Sequence, residues 1–293
     1  MTSYATIPIW QMKKQMCEVG HRIWLKGFCA GNEGNHSVRI DEDRVLCTPT
    51  GMSKGFLEVD DICLVDMDGK LVETNQRERS PSSEILVHLA VYTNRADVRG
   101  VIHSHPPHAT AFAVANIPLP EGIHPEAEVF LGRVPIARYA TPSTKELPES
   151  ITPLIGPQTN TVLMGNHGSV SFSEKSLIDA YYKLEILDAY CRILLLTKPL
   201  GQANKLSNDQ MAELLKIKQQ FGYNDERLAC VPDGCVGEQN DAFFATFDIR
   251  PTTAKCACNG GKVDQTSDRH RAGGEGFEDM VRTITDQIVS NME

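Results

Sequence analysis

Apolar positions change period several times between residues 8 and 228, and each change predicts an element. Met12, Met16, Val19 and Ile23 recur at helical spacing, so 11–26 predicts an amphipathic helix that ends near Gly27. Residues 38–48 alternate as a strand does, and 62–66 followed by Asp68-Gly69 predict a strand and a turn. Residues 82–94 predict a helix with Ser82 as N-cap and Ile85, Leu86, Leu89 and Val91 on its apolar side. A short strand over 98–105 follows. Residues 161–164 and 169–172 then predict a hairpin around Gly165-Asn166-His167-Gly168. A long helix over 173–197, capped by Ser173 and stopped by Pro199, precedes another over 207–220.

The pattern breaks down after residue 228. Turn formers and two close cysteine pairs fill 230–272, where Phe243, Phe244 and Phe247 form the one apolar patch. Residues 272–276, Ala-Gly-Gly-Glu-Gly, predict a flexible hinge. Beyond it Phe277, Met280, Val281, Ile284, Ile288 and Met292 fall on one stripe of a short amphipathic helix. The division expected is therefore 1–228 as the catalytic domain, 229–276 as linker and 277–293 as terminal helix.

Composition narrows the classes. The chain has 293 residues, 41% hydrophobic and 23% charged, as an ordinary globular protein does. No run approaches eighteen apolar residues, so no membrane span is expected, and residues 1–10 do not read as a signal peptide. A net charge of −9 argues against a broad nucleic-acid surface. The expected location is the cytoplasm. Nine cysteines without a secretory signal predict reduced thiols: Cys17, Cys29, Cys47, Cys63 and Cys191 among apolar neighbours, and Cys230, Cys235, Cys256 and Cys258 unliganded near the end.

Chemistry-bearing residues cluster in a few turns. His103 and His105 lie two apart near the end of a strand, so both imidazoles project from one face and can reach one metal ion. His167, in a Gly-flanked turn, is a natural third ligand, and a carboxylate would complete a zinc shell. An isolated H-x-H is a weak signal, and each histidine alone reads equally well as a packing residue. Glu84, one turn into its helix behind Ser82-Ser83, either complements the helix dipole or marks an anion site. The turns Gly34-Asn35-His36-Ser37 and Thr48-Pro49-Thr50-Gly51 have the small residues and free N–H groups of anion cradles.

Taken in order, GNHSVR, TPTG, SPSSE, HSHPPH, RYATPSTKEL and MGNHG resemble the class II zinc-dependent aldolase family, which also holds pentulose-phosphate epimerases and the adducin head. The resemblance spans residues 8–228. It implies a single three-layer α/β domain with a largely antiparallel central sheet. It further implies Zn2+ held by His103, His105, His167 and Glu84, with Glu84 turning acid/base when substrate displaces it. Asn35, Thr50, Gly51, Ser82 and Ser83 fall on the family's substrate-phosphate positions. The implied assembly is a homotetramer with interfacial active sites, and the implied reaction is retro-aldol cleavage of a deoxy-ketose 1-phosphate. An epimerase, a dehydratase and an adducin-like structural module are the rivals.

Two departures matter. After Ile123-His124 the family's aldolases place a proton-handling tyrosine, and Pro125 stands there instead. Glu126, Glu128 and His124 are substitutes to weigh, as is Tyr223 for a second family tyrosine near the end of the domain. The terminal stripe helix resembles the encapsulation peptides of bacterial microcompartments, so a shell protein or a co-encapsulated enzyme is the expected partner of 277–293. The compartment lumen is then an alternative location. The acidity of that segment argues against membrane binding.

Overall fold

The computed structural model describes residues 7–247. Helix α1 (Ile9–Leu25) buries Met12, Met16, Val19 and Ile23, the positions its period predicts. The stretch predicted as one strand over 38–48 is a hairpin, β1 (Asn35–Arg39) and β2 (Arg44–Cys47). Asp41 makes the difference. Its Oδ1 accepts from the backbone N–H of Asp43 and Arg44 at 3.0 and 2.9 Å, and Arg44 Nε donates to Oδ2, which folds the chain back. Strands β3 (Cys63–Asp66) and β4 (Leu71–Glu73) follow, then helix α2 (Ile85–Asn94) and strand β5 (Gly100–Ser104).

Helices α3 (Pro107–Ala115) and α4 (Pro125–Phe130) lead to β6 (Ile136–Ala137) and α5 (Glu146–Ile151). The predicted hairpin is β7 (Thr161–Met164) and β8 (Gly168–Ser173). Helix α6 (Leu177–Thr197) starts later than expected. Ser176, not Ser173, is its cap and accepts from Asp179 N, because Ser173 is still the last residue of β8. Helix α7 (Asn208–Gln220) opens on a reciprocal Ser207–Gln210 capping box.

The eight strands form one sheet in the order β4-β3-β2-β1-β5-β8-β7-β6. Six neighbouring pairs are antiparallel and β6 runs parallel to β7, so the sheet is mixed, which corrects the largely antiparallel expectation at this edge. The cause is the connection: a parallel pair needs a crossover, and α5 supplies it. Alternating strand residues feed two cores. Val45, Val101, Val162 and Phe172 pack under α2 and α5 on one face, while Leu46, Leu64 and Ile102 pack under α1 and α6 on the other. Helices on both faces give the three layers.

The packed body continues past the boundary expected at residue 228. Helices α8 (Arg227–Cys230) and α9 (Asn240–Phe244) belong to it, and Phe243 is fully buried against Phe112 in the cluster that holds Tyr190 and Leu194. A helix of one turn shows too little periodicity to be recognised in advance. Cys230 and Cys235 form a disulfide, which corrects the reduced-thiol expectation for this pair. The Val231–Asp233 turn and Gly234 at φ +82° fold the chain back and set the two Cα atoms 5.7 Å apart. Cys17, Cys29, Cys47, Cys63 and Cys191 are free, all but Cys17 buried. The hinge at 272–276, the helix at 277–293, Cys256 and Cys258 lie outside the described residues. Among the described residues no helix is long and apolar enough to cross a membrane.

Candidate active site

The strand order puts the chemistry at one end of three adjacent strands. His103 is near the end of central β5, directly opposite Asn35 of β1 and Val170 of β8. His105 follows the strand, held by its backbone N–H to Phe28 O at 2.9 Å. His167 sits in the β7–β8 turn, where Asn166 adopts φ +56° and donates its N–H to Ala113 O. Gly168 is fixed by space: a Cβ there would stand 2.6 Å from both Ser104 O and the His105 ring. The hairpin can close over β5 only without a side chain at this position.

The three imidazoles form a propeller, with ring centroids 4.7–4.9 Å apart and planes inclined by 63–64°. One nitrogen from each lies within 4.8 Å of the other two. The outer nitrogens orient two of the rings. His103 Nδ1 donates to Ser169 O at 3.0 Å, leaving Nε2 as a lone pair facing inward, and His105 Nδ1 lies 3.5 Å from Glu33 Oε2.

Glu84 closes the fourth side. Its Oε2 is 3.1 Å from His103 Nε2 and its Oε1 is 3.7 Å from His167 Nε2. A carboxylate oxygen facing an imidazole lone pair is repulsive unless a proton or a cation lies between them. Three imidazoles and one carboxylate match the donor set of a divalent-cation site of the zinc type. Charge states agree. Burial raises the Glu84 carboxyl, but positive charge in the histidine cluster, where a cation would sit, and the Asn35 amide outweigh it and lower it to about 2. Burial lowers His167 to about 4 and also lowers His105.

Glu84 is placed differently from the expectation. It is the residue before the first turn of α2 rather than one turn inside it, because Ser82 Oγ accepts from Glu84 N and holds 82–84 as a turn. That position aims its side chain at the histidines. A second chain of groups, only partly legible in the sequence, supports it. Asn35 Nδ2 donates to Glu84 Oε2 at 3.4 Å, so Asn35 Oδ1 accepts from His88 Nε2. His88 Nδ1 then accepts from Ser37 Oγ at 2.7 Å, and Ser37 accepts from Tyr92 OH at 2.9 Å. Every proton in this buried series points toward the carboxylate. Burial lowers His88 to about 3, which keeps it neutral and preserves the direction. The available signal was spacing: His88 is four residues from Glu84, on the same helix face.

Thr50, Gly51, Ser82, Ser83 and Asn35 line one cleft of about 400 Å³ together with Glu84, His105 and His167. Gly51 has φ +71°, the conformation its turn requires. Glu33, Lys54 and Ser143 also line it and were not singled out in the sequence. Ser143 donates its hydroxyl to Ser83 Oγ at 3.0 Å, tying the 142–144 turn to the cleft.

Other residues weighed for the site lie elsewhere. Glu128 is buried and accepts from Arg227 Nη1 at 2.8 Å and from Gly122 N. Glu126 is exposed beside His124, whose ring packs on Tyr190. Tyr223 accepts from Lys175, His108 pairs with Asp188, and His36 is bonded to Met16 O on the α1 face.

Comparison with known proteins agrees with this geometry. Residues 14–195 match the family described as Class II Aldolase and Adducin N-terminal domain. The chain is 33% identical over 180 residues to the L-fuculose phosphate aldolase of Methanococcus vannielii, covering 61% of this chain and 93% of that one. It is 30% identical over 187 residues to the 3-oxo-tetronate 4-phosphate decarboxylase of Haemophilus influenzae, covering 62% and 85%. A solved L-fuculose 1-phosphate aldolase superposes with a TM-score of 0.65 at 28% identity, covering 75% of this chain and 99% of that one. These relatives support a lyase-type enzyme. The chain belongs to the class II aldolase and adducin family.

Proposed function

We propose that the protein is a zinc-dependent lyase that cleaves L-fuculose 1-phosphate or L-rhamnulose 1-phosphate to dihydroxyacetone phosphate and lactaldehyde. The observation that carries this reading is the convergence of His103, His105, His167 and Glu84 beside the cleft lined by Thr50, Gly51, Ser82 and Ser83. Zinc, when bound, supplies the positive charge that stabilises the dihydroxyacetone phosphate half as it becomes anionic. Asn35, Thr50, Gly51, Ser82 and Ser83 orient the substrate through its phosphate. The C3–C4 bond breaks as the C4 hydroxyl loses its proton and C3 keeps the electron pair. Glu84 then delivers a proton to C3, so the net transfer is one proton from the C4 oxygen to C3.

Pro125 offers no acceptor for the C4 hydroxyl proton, and Glu128 is engaged by Arg227. This favours a second reading, decarboxylation of a 3-oxo sugar-acid phosphate, the reaction named for the Haemophilus relative. Loss of carbon dioxide from such an acid needs the same charge stabilisation and the same protonation of carbon, but no base at a hydroxyl. The wider reading has the enzyme work as a homotetramer in the cytoplasm or a microcompartment lumen, with 277–293 docking on a shell protein or a second enzyme. Family membership supports the tetramer, and the apolar stripe supports the docking.

The test supplies L-fuculose 1-phosphate, L-rhamnulose 1-phosphate and 3-oxo-tetronate 4-phosphate separately to the zinc-loaded enzyme and follows dihydroxyacetone phosphate in a coupled assay. Release from a ketose phosphate, abolished by chelation and lowered about 10²–10⁴-fold by Glu84→Gln, is expected. Release from the 3-oxo acid alone transfers the function to the second reading. Silence on all three, with zinc bound, overturns both.

A further inference from the structure

Lys54 is the most deeply buried lysine of the described chain, 2% exposed, in the helical turn that follows Thr50-Gly51. Its Nζ donates to Asn32 O at 2.7 Å and to Met52 O. Those carbonyls belong to two different turns, and the turns wall the same cleft. Among the described residues no carboxylate lies within ion-pair distance of it. Of the other buried cations among the described residues, Lys218 and Arg227 share Asp225 and Lys183 meets Asp179, while Arg39 donates to the backbone carbonyls of Asp41, Glu42 and Tyr92, none of which lines the cleft.

An ammonium removed from water without a counter-ion is costly, and two carbonyl dipoles offset only part of that cost. Burial lowers Lys54 to about 8, so it is still mostly charged at neutral pH. Among the described residues, those two carbonyls are the partners of the ammonium and its third N–H has none. The other groups assigned to phosphate are neutral amides, hydroxyls and a glycine. The cleft's remaining full charges, Glu33 and Glu84, are negative. Lys54 is the one cationic side chain other than histidine among the residues that line the cleft.

We propose that Lys54 is the charged ligand of the substrate phosphate, a buried ammonium held between the 32–35 and 49–54 turns that takes the dianion of a phosphate monoester as its counter-ion. The proposal rests on the phosphate-ester reading above and adds the group that supplies the charge. Because the same ammonium binds a carbonyl from each turn, phosphate binding is coupled to the spacing of both walls.

The test titrates inorganic phosphate into the full-length, zinc-loaded protein by calorimetry, comparing wild type with Lys54→Met and Lys54→Gln. A drop in phosphate affinity of about 10- to 100-fold in both variants is expected for loss of one charge-assisted hydrogen bond. The second arm follows the Lys54 Nζ resonance of wild type by side-chain ¹⁵N NMR, assigned by its absence in a lysine-free variant at this position or, should those not fold, by Lys54→Arg. A shift on phosphate addition supports the contact. An unmoved resonance overturns it and leaves Lys54 as a clamp between turns, even if the variants bind weakly. Unchanged affinity in Lys54→Met overturns it as well. A wild type that binds no phosphate overturns the phosphate reading itself, and this proposal with it.

Discussion

Single side chains decide the direction of hydrogen bonds around the candidate acid/base. Asn35 can face Glu84 with its amide nitrogen or its oxygen, and only the nitrogen stabilises a carboxylate. His88 makes that choice by donating Nε2–H to the Asn35 oxygen, while Ser37 and Tyr92 fill the other side of the imidazole. His88→Leu removes the donor and frees the amide to turn over. Turnover of the substrate is expected to fall about tenfold, the worth of one hydrogen bond, with zinc stoichiometry unchanged. Steady-state kinetics and elemental analysis check both halves, and wild-type kinetics in the variant would remove His88 from the account. The sequence makes His103, His105 and His167 legible because ligand spacing on a strand end is a local pattern. It does not reveal the His88 series or Lys54, because the partners that define them lie far along the chain, residue 32 for Lys54 and residues 88 and 92 for Ser37.

Elements bring these residues together through the register of β1, β5 and β8. Asn35 is opposite His103, and the β7–β8 turn drops His167 beside them. That turn approaches β5 too closely for any side chain at Gly168. Gly168→Ala forces its Cβ against Ser104 O and the His105 ring, so backbone or imidazole must move. Overpacking of this kind costs about 1–3 kcal/mol, and the displaced His105 is expected to weaken zinc binding. Thermal unfolding and metal titration of the variant test this, and full affinity with an unshifted melting temperature would contradict it. At this scale the long helices and the hairpin were legible from period. The β1–β2 turn at Asp41 and the Ser176 cap were not, since each rests on one polar side chain choosing a backbone partner.

At the scale of the whole molecule, an ion network that shares no residue with the metal-binding cleft anchors the segment after α7. Arg227 binds Glu121, Glu128 and Asp225, Lys218 shares Asp225, and Arg133 shares Glu121. Three cations match three anions in a mostly buried cluster. Together with Phe243 and the Cys230–Cys235 link, it explains why the body extends beyond residue 228. This was not legible in the sequence, where 229–247 read as part of the linker and the partners in the cluster lie as many as 106 residues apart. It also explains why Glu128, a plausible acid/base from its position beside Pro125, serves packing instead. Central to the proposed chemistry is that His103, His105, His167 and Glu84 hold a single divalent ion. Calorimetric titration of zinc into the metal-free protein tests it directly, with His103→Ala alongside. One ion per chain in wild type and none in the variant is predicted; no binding in wild type, or equal binding in both, would contradict it.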